Sequence, residues 1–89
     1  MKKIDEISQQ ALEEIRSRSE SATAGPWTSF VEGRDHQSGS SFIRTSGEDI
    51  ELAGATVADQ DFIAHARQDV PRLLEEIERL RRSLEELEK

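Results

Sequence analysis

From Val70 to Lys89 the apolar residues follow a strict three-four alternation. Val70, Leu73, Ile77, Leu80, Leu84 and Leu87 fall at successive a and d positions of a heptad, with branched residues or Leu at a and Leu at every d. A stripe this regular needs a partner helix, supplied by the N-terminal segment of the same chain, by another copy of it, or by both. Size points the same way. At 89 residues the chain is small for a self-sufficient core, and the absence of cysteine removes disulfides and thiolate metal sites as supports. Oligomerisation through the six heptad residues is therefore the expected aid.

Ile4, Ile7, Ala11, Leu12 and Ile15 recur at helical spacing among charged residues, which predicts an amphipathic helix within residues 1–24, ended by Gly25-Pro26. From Trp27 the period changes. Trp27 to Val31 and Ser41 to Thr45 are rich in aromatic and β-branched residues, Asp49 to Leu52 forms a shorter run, and glycine-bearing polar connections separate them, so residues 27–53 are expected to form a three-stranded antiparallel meander. Helical spacing returns over 58–89. Acids at Asp59 and Asp61 suit a first turn, and Pro71 after Asp69 predicts a kink or a second helix capped by Asp69. Glu75/Arg79, Glu78/Arg82 and Glu85/Lys89 stand at the favourable i,i+4 spacing. The expectation is a single α+β domain over 1–89: a helix, a three-stranded sheet, and a kinked or two-part C-terminal helix that drives homo-oligomer formation.

Charge narrows the partners. A net charge of -7 disfavours duplex nucleic acid, which is bound through clustered cations, and favours a basic protein or a ligand held in a local basic pocket. No apolar run approaches the roughly 20 residues that span a bilayer, and Met1-Lys2-Lys3 leads into a charged segment, so a cytoplasmic location without membrane association is expected.

Candidate binding chemistry lies in three places. The loop Glu32 to Ser40 gathers Arg34, Asp35 and His36 beside two glycines, a set suited to holding an anion or, with Asp35 next to His36, to moving a proton; a plain solvated hairpin loop has the same composition. Arg44 at mid-strand can join that loop, with Phe42 or Trp27 as a stacking face. His65 stands one helical turn from both Asp61 and Asp69, which favours the imidazolium, and Arg67 follows near the helix break. Two carboxylates and one imidazole along a single helix face do not close a metal sphere, and no nucleophile or phosphate loop accompanies them, so neither a metal, a cofactor nor catalysis is expected.

The segments Ser21-Ala22-Thr23-Ala24-Gly25-Pro26-Trp27, Glu32-Gly33-Arg34-Asp35-His36, Gly47-Glu48-Asp49-Ile50 and Ala58 to Pro71 resemble a family of small uncharacterised phage and bacterial proteins. Its members carry an "ATPGPW" segment, then "DxxFIAHARxDVP", then a Leu-rich helix; the family is distantly similar to the Ead/Ea22-like phage proteins. The chain departs at Ala24, where the pattern has Pro. The resemblance covers most of the chain but brings no reaction with it. It implies an accessory protein of a phage or mobile element that acts by binding in the host cytoplasm. The expected function is a non-enzymatic homo-oligomer that sequesters an anionic nucleotide immune signal. Two alternatives stand beside it: an immunity or antitoxin-like protein that covers a basic protein, and a purely structural oligomer.

Overall fold

A computed structural model describes residues 6–88. Helix α1 spans Gln9–Ser21, strands β1 Thr28–Phe30 and β2 Phe42–Arg44 form an antiparallel pair, and helix α2 spans Val57–Glu88. Helix α1 begins later than its apolar spacing suggests because Ser8 caps it, its hydroxyl accepting from the Ala11 N–H at 3.0 Å. Ile7 then precedes the helix, and Ile4 lies outside the described residues. The i,i+4 partner Lys89 lies outside them as well.

The sheet has two strands where three were expected. Thr28 faces Arg44, Ser29 faces Ile43 and Phe30 faces Phe42. The third run contributes a single bridge, in which Ile43 and Ile50 exchange N–H···O bonds of 2.8 and 2.9 Å. Only Ile50 pairs because the chain is still recovering from the turn before it. There the Thr45 hydroxyl donates to the Glu48 carbonyl and accepts from the Gly47 N–H, and the chain turns away toward α2 at Ala53 and Gly54, three residues after the bridge.

The C-terminal helix is one element with Pro71 inside it, which corrects the expected division into two helices. Thr56 and Asp59 form a reciprocal capping box, the Asp59 N–H donating to Thr56 Oγ1 at 3.0 Å and the Thr56 N–H to the Asp59 carboxylate at 3.1 Å. Asp69 sits in the helix interior instead of capping a second segment. Pro71 denies the Arg67 carbonyl its helical partner. Helical residues nevertheless continue on both sides of it, with Ala64 and Leu74 buried and Pro71 half-buried between them.

That face of α2 holds the core. Its first half lies under the hairpin. The Gln60 amide, 5% exposed, donates to Ser29 Oγ at 2.9 Å and to the Phe30 and Phe42 carbonyls at 3.2 Å. Two turns on, Gln68 Oε1 accepts from the Trp27 N–H at 2.6 Å while its amide donates to the Trp27 and Ala64 carbonyls. One glutamine thus joins both strands to the helix, and the other extends the β1 backbone pairing onto it. Gly25 permits this approach, since a Cβ there would stand 3.3 Å from Gln68 Oε1. Helix α1 packs antiparallel along the second half of α2, with Leu12 buried, Arg16 paired to Glu78 at 2.7 Å and Arg81 donating to the Ile7 carbonyl at 2.6 Å. Glu78 thereby turns to α1, not to Arg82, and Arg79 bonds to Glu76, not to Glu75.

Candidate functional site

The eight candidate ligand residues fall into three groups, and two of these are occupied by the fold itself. Trp27 and Arg67 share one acceptor: the indole N–H and the Arg67 Nε–H both donate to the Thr23 carbonyl at 2.9 Å. This pair of bonds to one oxygen fixes the link between α1 and β1 against α2. The polar edge of Trp27 is thus taken up by the backbone, and so is the Nε–H of Arg67.

Arg34 and Asp35 form the second group. Gly33, at φ +86°, allows the tight turn from Val31 to His36, in which the Gly33 N–H donates to the His36 carbonyl at 2.7 Å. Asp35 accepts from the Val31 N–H at 2.8 Å and from Arg34 Nε at 2.9 Å. The Arg34 fork then reaches α2 and grips Asp61 with both terminal nitrogens, at 2.8 and 3.1 Å. These bonds, with the Ser29 hydroxyl second, hold the Asp61 carboxyl down at about 2, and Arg34 likewise lowers Asp35. Two carboxylates therefore satisfy the guanidinium that was expected to bind an anion. His65 rims the same concavity of about 410 Å³, with Trp27, Ser29, Arg34, Asp61 and Gln68. Its Nδ1–H donates to the Asp61 main-chain carbonyl at 2.8 Å, whereas the Asp61 carboxylate belongs to Arg34. No acid–base dyad forms at His65 or at Asp35, because each carboxylate is held ionised by a guanidinium instead of orienting an imidazole.

The third group is Phe42, Arg44 and His36, on the outer face of the hairpin. Register places Phe30 beside Phe42 and Thr28 beside Arg44 on this face, while Ile43 turns inward. The two phenylalanine rings stack at 5.3 Å with an interplanar angle of 17°. The Arg44 guanidinium lies 4.8 Å from the Phe30 centroid and 5.7 Å from that of Phe42. His36 tilts against Phe42 at 5.7 Å, with its Nδ1–H given to the Ser38 carbonyl and its Nε2 buried and unpartnered. Of the three candidate arginines, Arg44 is the one that has no hydrogen-bond acceptor among the described residues. Phe30 was missed in the sequence. The cross-strand register that sets it against Phe42 is the signal that finds it.

The heptad stripe lies at the surface of α2. Leu73 is 61% exposed, Leu84 58% and Leu87 82%, with Leu80 also exposed and Val70 and Ile77 half-buried at the edge. The stripe extends upstream of Val70 to Ile63 and Ala66, flanked by Phe62 at 74%. At 100° per residue this seam lies well over a quarter-turn from the face carrying Gln60, Ala64 and Leu74. Helix α1 occupies that second face, so it does not serve as the partner of the seam.

Comparison with protein-family models, curated proteins and solved structures gives no match. The functional reading therefore rests on geometry. No helix among the described residues is long and apolar enough to cross a membrane, and no group of three or more His, Asp or Glu side chains among them is placed to hold a metal.

Proposed function

We propose that this chain is a non-enzymatic, homo-oligomeric binding protein of the phage or mobile-element kind. Copies join along the α2 seam, and the outer face of the hairpin holds the ligand. One observation carries the reading: a continuous heptad seam on the side of α2 turned away from its own core. At these exposures each large apolar side chain of the seam presents roughly 100 Å², and the stripe amounts to about 600 Å² per chain. That lies at the upper end for a monomer's largest apolar patch and near the roughly 800 Å² each partner contributes to a standard interface. The radius of gyration, 17.4 Å against about 12 Å for a compact domain of this length, supports it too, because α2 runs beyond what its own chain covers.

For the ligand, the Phe30–Phe42 pair with Arg44 above it combines a stacking surface with uncommitted guanidinium donors. That combination suits an anionic nucleotide, whose base stacks and whose phosphate takes charge-assisted bonds. The site thus moves from Arg34, which Asp35 and Asp61 neutralise, to Arg44. Mass spectrometry of small molecules released from natively purified protein tests this. A nucleotide retained by the wild type and lost in Arg44→Ala supports it, and equal retention in both refutes the placement. A co-purifying basic protein in its place favours the immunity-type reading, for which the net charge of -7 is the supporting observation.

A further inference from the structure

Resting on the self-association proposed above, we infer that the partner copy of α2 runs antiparallel, with its C-terminal leucines seated in an apolar concavity at the N-terminal end of the seam. The loop from Leu52 to Ala55 and the first turns of α2 border an open hollow of about 480 Å³, lined by that loop, Phe62, Ile63 and Asp59, whose carboxylate is taken up by the Thr56 N–H. It adjoins the Ile63 end of the seam. At the other end Leu87 is the most exposed large apolar side chain among the described residues.

An antiparallel pair matches a positions with d positions, and the residue numbers close without remainder. With the dyad midway between Leu73 and Ile77, Leu73 meets the second copy's Ile77, Val70 its Leu80, Ala66 its Leu84 and Ile63 its Leu87. Small Ala66 then lies against large Leu84, and Leu87 enters the hollow beside Ile63 and Phe62. A parallel pair sets Ala66 against Ala66 and Leu87 against Leu87, and leaves the hollow uncovered.

The flanks agree. A parallel pair relies on contacts from the g side of one helix to the e side of the other, but the e residues are already engaged. Leu74 is 3% exposed, Arg67 is bonded to Thr23 and Arg81 to Ile7. The antiparallel pair brings the two open g sides together on one flank, setting Asp69 opposite Ser83. On the other flank the two e sides meet, where Leu74 faces Leu74, and Arg67 and Arg81, already bonded within their own chains, stand opposite each other with no cross-pair bond required. Glu76 meets Glu76 near the dyad, each with its own Arg79 as counter-ion.

The chain has no cysteine, so Glu86→Cys places a single spin label on an exposed position away from the seam. Pulsed dipolar spectroscopy on the labelled full chain reads the orientation. At 1.5 Å per residue the antiparallel pair separates the labels by about 35 Å, whereas a parallel pair holds them within about 20 Å. A dimer with the long distance is the expected result. A dimer with the short one overturns the orientation and leaves self-association standing, and a monomer by light scattering overturns both. Ala66→Leu gives an independent reading. It overfills the layer against Leu84 and weakens an antiparallel dimer several-fold, whereas tighter association, from filling the Ala66 layer of a parallel pair, contradicts the inference.

Discussion

Gln60 is the residue on which the hairpin hangs, and Gln60→Leu removes its amide while nearly preserving its volume. The amide has two N–H groups directed at three oxygens, Ser29 Oγ and the carbonyls of Phe30 and Phe42. A net hydrogen bond contributes about 0.5–1.5 kcal/mol, and a buried group left unsatisfied costs about 1–3 kcal/mol, so the substitution should destabilise by about 2–3 kcal/mol. A chain of 89 residues has total stability of about 4–13 kcal/mol at typical values per residue, which makes this a large fraction and corresponds to a fall in melting temperature of about 10 °C or more. Urea unfolding followed by helical circular dichroism, at one fixed protein concentration because assembly adds to apparent stability, measures it. Gln60→Glu sharpens the test by turning a carboxylate toward the same three oxygens. At neutral pH it should be worse than the Leu variant and recover as acid protonates the carboxyl. A Leu variant within about 0.5 kcal/mol of wild type would refute the claim that this amide joins both strands to α2.

Two further predictions concern local electrostatics and capping. Thr56→Ala removes half of the capping box and should cost about 1 kcal/mol in the same urea titration, with the α2 core otherwise unchanged. Because Arg34 holds the Asp61 carboxyl at about 2 against an ordinary 3.8, its stabilisation is fully present above the ordinary value and fades as pH falls through the lowered one. An acid titration of wild type against Asp61→Asn should therefore show a steeper loss in the wild type between about pH 4 and 2, and parallel curves would contradict the ion pair.

Much of the architecture is legible in the residues, and what escapes has identifiable causes. The two helices, the hairpin and the exposed heptad follow from periodicity. Ile50 reads as a strand because its neighbours alternate in polarity, but a run of four residues hemmed by turns has room for one bridge only. Pro71 reads as a break because local rules see the lost hydrogen bond and not the tertiary packing of Ala64 and Leu74, which keeps the chain helical on both sides of it. The site is harder to read. Arg34 and Arg44 look alike in sequence, and what separates them is Asp61, 27 residues away from Arg34 and one helix over, whose carboxylate consumes one guanidinium and not the other. Gln60 and Gln68 resemble any polar helix residue until the strand edges they serve are in place.

Self-association along α2 is read by sedimentation equilibrium of the wild-type chain over low micromolar to about 100 µM. A mass of twice the 10.1 kDa chain is expected, with reversion to one chain mass in Leu80→Glu, which sets a charge in the exposed seam and leaves the buried face of α2 untouched. A wild type that sediments as a single chain across the whole range would contradict it.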